Sequence, residues 1–145
     1  MRTKQILAVI AFASLFAIAA CGSVTDTADT STTDSAGEAG TYQTLAIDDF
    51  AVIVTSDTKD YTIINVHIPY AGEIDGTDAN IPFNDLDALT SALPDKDAPI
   101  ILYCRSGNMS EQASRALIDL GYTRVWDVPG GMIDWQASGR KLIDK

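Results

Sequence analysis

Two short runs of this chain, YTIINV (61–66) and PIILYC (99–104), are largely β-branched and apolar and do not alternate apolar with polar residues. A strand that is apolar on both faces cannot lie with one face in water, so each run reads as a strand buried on both sides. The segments around them have helical spacing. NDLDALTSALPDK carries Leu86, Leu89 and Leu93 on one face, with Asn84 as N-cap and Pro94 as the stop. MSEQASRALIDLG carries Ala113, Ala116, Leu117 and Leu120 on one face and ends at Gly121. Strands of this kind separated by short helices imply an α/β fold, a small parallel sheet of about five strands covered by helices on both faces.

The remaining elements fit that scheme. TYQTLA is a short strand, and Asp48 and Asp49 suit the first turn of a short helix. Residues 67–83 are rich in Gly, Pro and Asp and read as loop, with a very short strand at Ala79 to Ile81. TRVWDV is a further strand. GGMIDWQASG is a two-glycine turn, with Met132 following the glycines in the loop, into a final short helix bounded by Gly139, and Trp126 and Trp135 serve packing. In parallel sheets ligands sit beyond the carboxyl ends of the strands, and His67 and Cys104 both fall there.

The first 20 residues stand apart. Arg2 and Lys4 precede an uncharged apolar run, ILAVIAFASLFAIAA, shorter than a membrane span and typical of an export signal. It closes on IAAC, which resembles the lipobox of a bacterial lipoprotein, and the resemblance implies cleavage before Cys21 and acylation of that cysteine. Residues 22–40 are Thr, Ser, Asp, Glu, Gly and Ala with a single large aliphatic, Val24, too little apolar surface to offset the entropy of ordering. They read as a flexible tether with a reach on the order of 25 Å. The expected organisation is a signal peptide over 1–20, a lipidated cysteine and tether over 21–40, and a domain over 41–145. It would place the domain outside the cytoplasm, held to a membrane through the lipid alone.

Charge excludes one class of partner. The chain has 20 acidic and 10 basic residues, a formal net charge of −10, and two of the basic residues leave with the signal. Such a surface repels nucleic acid, and the Lys and Arg residues form no patch. With Cys21 acylated, Cys104 stands alone, which leaves no disulfide framework, no CxxC pair and no cysteine-rich metal site. Neither a metal nor another cofactor is expected.

The loop after Cys104 carries the chemistry. In CRSGNMS, Gly107 permits a turn that a Cβ would resist. Successive N–H groups from Arg105, Ser106, Gly107, Asn108, Met109 and Ser110 can then point inward as a nest, joined by the start of the next helix. Such a cradle favours the thiolate over the thiol and makes Cys104 a nucleophile for sulfur or phosphorus. Arg105 adds a cation for substrate or loop organisation, or pairs with Glu111.

YCRSGNMS, with GEIDGTDANIP upstream and GGMIDW downstream, resembles a single rhodanese (sulfurtransferase) domain over nearly all of residues 41–145. The resemblance implies that Cys104 takes sulfane sulfur from a small donor as a persulfide. A small thiol, cyanide or a protein thiol then removes it. Rhodanese loops run six residues from the cysteine, here to Met109. Related phosphatases have seven, closing on an arginine where this chain has Ser110, which disfavours phosphate chemistry.

Three departures bear on the substrate. Met109 stands where many rhodaneses have Arg or Thr, offering soft contact in place of charge. Asn65-Val66-His67 replaces a usual Asp-Val-Arg, and the loop after His67 is rearranged. His67, the sole histidine, either caps that loop or contacts substrate and moves protons. Glu73, Asp75 and Asp78 lack the spacing of a calcium loop and read as a solvated acidic stretch. Two functions follow: an enzyme transferring sulfane sulfur from thiosulfate or polysulfide, or a persulfide carrier or sulfur-sensing module that does not turn over.

Overall fold

A computed structural model describes residues 40–145. The signal segment, Cys21 and nearly all of the tether lie outside the described residues. The elements run β1 (Gln43–Thr44), α1 (Ile47–Val54), β2 (Thr62–Asn65), β3 (Ala79–Asn80), α2 (Leu86–Ala92), β4 (Ile100–Tyr103), α3 (Asn108–Asp119), β5 (Val125–Val128) and α4 (Gly131–Ala137). The strands form one sheet in the order β1-β5-β4-β2-β3, and every pairing is parallel. β4 sits at the centre, with Ile101 in register with Ile63 on one side and Trp126 on the other.

Both faces are covered, as the unalternated strands require. Ile64, Ile100, Leu102 and Val125 pack against Leu89 of α2 and against Ala113 and Leu117 of α3. Ile63, Ile101, Tyr103 and Val128 pack against Phe50 and Val54 of α1 and against Met132 and Trp135 of α4. All four residues of β4 are buried, and truncating one such isoleucine or leucine to alanine costs about 2–5 kcal/mol. Trp135 lies edge-on to Phe50 with centroids 6.0 Å apart, and Trp126 edge-on to Tyr61 at 5.2 Å, so both tryptophans pack as expected.

Three local expectations are corrected. The cap of α2 is Asp85, not Asn84, because the Asp85 carboxylate accepts the Ala88 N–H at 3.0 Å. The buried face of α3 is Ser110, Ala113, Ser114 and Leu117, while Leu120 is 41% exposed. Leu120 is already the C-cap, and Gly121 at φ 90° turns the chain away before its side chain can reach the core. Met132 belongs to α4 rather than to a loop and is buried. Among the described residues no helix is long and apolar enough to cross a membrane.

Candidate active site

Cys104 directly follows β4, and α3 begins four residues later, so Arg105, Ser106 and Gly107 make the whole connection. Gly107 has φ 94°, a left-handed conformation glycine adopts freely. Its N–H donates to Cys104 Sγ at 3.1 Å. The Ser110 hydroxyl, in the first turn of α3, lies 3.6 Å from the same sulfur and 3.1 Å from the Gly107 carbonyl oxygen. Among the described residues these two groups are the donors on Sγ. The row of amides expected from Arg105 to Ser110 is therefore narrower at the sulfur itself, one amide and one hydroxyl.

The glycine pair after β5 holds this loop in shape. A Cβ on Gly131, which has φ 52°, would lie 2.1 Å from the Cys104 carbonyl oxygen. That absence lets α4 approach closely enough for Met132 N–H to donate to Cys104 O and Ile133 N–H to donate to Arg105 O, each at 3.0 Å. The start of α4 thus ties down the carbonyls of the loop and fixes its backbone orientation.

The opposite wall comes from β2. His67 shares with Cys104, Arg105, Ser106, Asn108 and Met109 the lining of a cavity of about 270 Å³. Cys104 is 1% exposed, so its sulfur sits at the bottom of this small cavity and is not displayed on the surface. Larger depressions lie elsewhere, one beside Tyr42 and Arg115 and one beside Ile68 and Asp85, and neither is lined by a cysteine or histidine. Burial, and then the Arg105 cation, push the His67 pKa below its ordinary value, which keeps the ring neutral near pH 7. His67 Nδ1 is buried with no hydrogen-bond partner among the described residues.

Asn65 explains the altered strand end. Its Oδ1 accepts the His67 N–H at 3.1 Å and its Nδ2 donates to the Gly72 carbonyl at 3.2 Å. This buried amide uses both ends to bracket the loop after β2, which a carboxylate could not do.

Two expectations about charged residues are corrected. Glu111 is not a partner of Arg105: it accepts from Arg115 at 2.7 Å and from the Tyr42 hydroxyl at 3.2 Å, and the Arg115 bond holds its carboxyl below the usual range. Arg105 is exposed at the cavity rim. Glu73 is not solvated but 1% exposed, bonded to the Asn80 amide and ion-paired with Lys145 at 2.8 Å. Its backbone pairs with Ile143 in an antiparallel bridge, which carries the side chain inward. Asp78 accepts the Ile63 N–H and pairs with Lys59, each at 2.8 Å. Asp75 turns to the Gly76 N–H. The three acids therefore go to separate partners.

Two buried polar residues escape a reading by motif. The Tyr103 hydroxyl accepts the Ile74 N–H at 3.0 Å and bonds to Thr77 Oγ1 at 2.7 Å, and burial pushes its pKa up to about 12. Asp127, in β5, is 3% exposed, and its Oδ1 has no hydrogen-bond partner among the described residues. A charged residue inside a strand buried on both faces is itself a visible signal, since such residues are rarely interior unless paired.

Residues 43–138 match the model of the Rhodanese-like domain. The chain belongs to the rhodanese-like family. The chain is 31% identical over 90 residues to a sulfurtransferase of Allochromatium vinosum, an alignment covering 61% of this chain and 83% of that protein. It is 38% identical over 56 residues to the thiosulfate sulfurtransferase PspE of Escherichia coli, covering 38% of this chain and 53% of PspE. The crystal structure of a rhodanese-related protein from Thermoplasma volcanium superposes with a TM-score of 0.58 at 27% identity, over 70% of this chain and 98% of that one. These relatives support a rhodanese-type sulfur transfer activity, and the five-stranded parallel sheet with four helices is the rhodanese-like fold.

Proposed function

We propose that this rhodanese-like protein is a sulfurtransferase that works outside the cytoplasm and carries sulfane sulfur as a persulfide on Cys104. The observation that carries the reading is the Cys104 sulfur at the floor of a 270 Å³ cavity, receiving the Gly107 N–H at 3.1 Å beside the Ser110 hydroxyl. Fixed donors on a recessed sulfur are aimed where the anionic persulfide and the departing sulfur carry charge during transfer. The Cys104 thiolate attacks the outer sulfur of a donor such as thiosulfate or a polysulfide. The S–S bond of the donor breaks, its electron pair leaves with sulfite or the shortened polysulfide, and Cys104 keeps the sulfur as an anionic persulfide. A small thiol, cyanide or a protein thiol then attacks the terminal sulfur and releases Cys104 as thiolate. No redox cofactor enters either step, because each displacement only exchanges one partner of sulfur for another.

Arg105 at the rim draws anionic donors toward the cavity, and neutral His67 with Met109 forms its less polar wall. The anchor reading rests on the sequence: the charged start, the apolar run and IAAC support cleavage before Cys21, acylation of that residue, and attachment through the tether of residues 22–40.

Mass spectrometry tests both parts. After incubation with thiosulfate or polysulfide, the intact protein should gain one sulfur atom on Cys104, cyanide or a thiol should remove it, and Cys104→Ser should gain none. A gain that no acceptor removes would identify a carrier in place of an enzyme. The lipid is tested in cells of a lipoprotein-processing bacterium, where Cys21→Ser should move the protein from the membrane to the soluble extracytoplasmic fraction.

A further inference from the structure

His67 is held beside the Cys104 loop by its backbone. Asn65 pairs in register with Tyr103, and Val66 N–H donates to the Tyr103 carbonyl at 2.8 Å, so β2 and β4 leave the sheet side by side. Phe83 N–H donates to the Val66 carbonyl at 3.1 Å. The bond that brackets the loop after β2 is made by the His67 main-chain N–H, on Asn65 Oδ1 at 3.1 Å, and does not use the imidazole. The residue lines the Cys104 cavity, and its two ring nitrogens stand in different surroundings. Nδ1 is buried and has no hydrogen-bond partner among the described residues. Of the two nitrogens only Nδ1 is both buried and unpartnered, and no described residue bonds to Nε2, which leaves Nε2 as the open one. A hydrogen on Nδ1 would be a buried donor without an acceptor, an arrangement native proteins rarely keep. The imidazolium and the Nδ1–H tautomer both need that hydrogen. The neutral Nε2–H tautomer is the form that avoids it.

We propose that His67 Nε2–H is a fixed neutral hydrogen-bond donor in the Cys104 cavity, a catalytic residue that binds the anionic end of the sulfur donor together with Arg105. Arg105 supplies charge at the rim, and His67 supplies a directional bond from the wall formed by the end of β2. Burial and the Arg105 cation act in the same sense, since both keep the ring neutral. With its hydrogen on Nε2 the ring has no lone pair on the open side, so it donates there and does not serve as a base. When the Cys104 sulfur attacks the outer sulfur of thiosulfate, the electron pair of the breaking S–S bond goes to the sulfite fragment. A donor already aimed at that fragment favours its departure, and no proton passes from the ring to it. The choice of ligand rests on the sulfur-transfer reading of this site; the tautomer does not.

Nitrogen NMR of the full chain carrying ¹⁵N-labelled histidine tests it, because His67 is the only histidine and both ring signals belong to it. Near neutral pH the hydrogen should reside on Nε2, and a hydrogen residing on Nδ1 overturns the proposal. In Cys104→Ser, which cannot take up sulfur, thiosulfate or sulfite should move the Nε2–H signal to a saturating limit. No movement with either anion also overturns it. Kinetics give a second readout. His67→Leu should lower kcat/KM for thiosulfate by about 10-fold or more, the loss of a hydrogen bond to a charged group. Glutamine sets an amide N–H near the place of Nε2, whereas asparagine sets one near Nδ1, so His67→Gln should lose less than His67→Asn. Equal losses in the two would point to a ring acting as base and not as donor, and refute the assignment. If sulfur transfer fails while the anions move the Nε2–H signal, the proposed function falls and the anion contact stands. If transfer proceeds while that signal stays still, His67 alone is misassigned.

Discussion

A Cβ on Gly107 would stand 1.9 Å from the carbonyl oxygen of Pro129, so the Cys104 loop and the end of β5 touch through the absence of a side chain. Gly107 also holds φ 94° and supplies the amide on the sulfur. Gly139 offers an internal comparison: its φ is 85° but nothing lies within 4 Å of an added Cβ. Gly139→Ala should thus cost about 1–2 kcal/mol, the backbone strain alone. Gly107→Ala adds a clash with backbone that has to be relieved by moving the loop, and should cost about 3 kcal/mol or more. Urea denaturation compares the two. Equal losses would mean that the contact with Pro129 yields easily.

Tyr103 ends β4 one residue before the cysteine, and its hydroxyl anchors the far side of the loop after β2 through Ile74 N–H and Thr77 Oγ1. Tyr103→Phe keeps the ring against Phe50 but leaves the buried Ile74 amide without its acceptor. An orphaned buried donor costs about 1–3 kcal/mol. Calorimetric melting should show that loss, and a lowering within error of zero would mean that another acceptor takes over. With burial holding the phenol near a pKa of about 12, the loss should be the same throughout the neutral range.

His67 gives stability a pH dependence of known sign. Burial and Arg105 put its folded pKa below the ordinary value, so folding favours the neutral ring. Its contribution is complete above the unfolded value of about 6.5 and is lost as pH falls through the lower folded value. His67→Gln removes this titration. The difference in unfolding midpoint between about pH 7.5 and about pH 5 should therefore be smaller in the variant than in the parent chain. His67 is the only histidine, so no second imidazole confuses the comparison. A variant that loses as much as the parent on acidification would show that the ring is free to charge in the fold.

Legibility in the sequence followed periodicity and failed at pairings across distance. The buried strands β2 and β4 announce a covered parallel sheet because neither alternates apolar with polar residues, and Cys104 is placed by its position at the end of one of them. The glycine pair reads as a turn, yet its use, letting α4 amides reach the Cys104 and Arg105 carbonyls, depends on a contact between residues far apart in sequence. Glu73 looked solvated among acidic neighbours because its partner, Lys145, lies at the other end of the domain. Leu120 fits the apolar stripe of α3, but the helix ends before the stripe reaches the core. Local spacing determines which elements form; which polar group satisfies which is settled only when the sheet brings distant segments together.

Met109 is the residue of the cavity lining whose replacement should change substrate preference most directly. It packs partly against the core cluster of α2 and α3 and lines the space above the Cys104 sulfur together with His67. A thioether and a neutral imidazole offer polarisable contact but no charge, leaving exposed Arg105 as the cation of that lining. Thiosulfate keeps its charge concentrated on a compact sulfonate-like head, whereas a polysulfide chain spreads it over polarisable sulfur. Met109→Arg puts a second cation at the cavity and should raise kcat/KM for thiosulfate relative to polysulfide by about 3- to 10-fold, the effect of roughly 1 kcal/mol from a solvent-screened charge pair. The gain should shrink as salt rises, because the pair is open to water. If the ratio is unchanged at low salt, Met109 does not face the donor and selectivity must reside in Arg105 or the loop after His67.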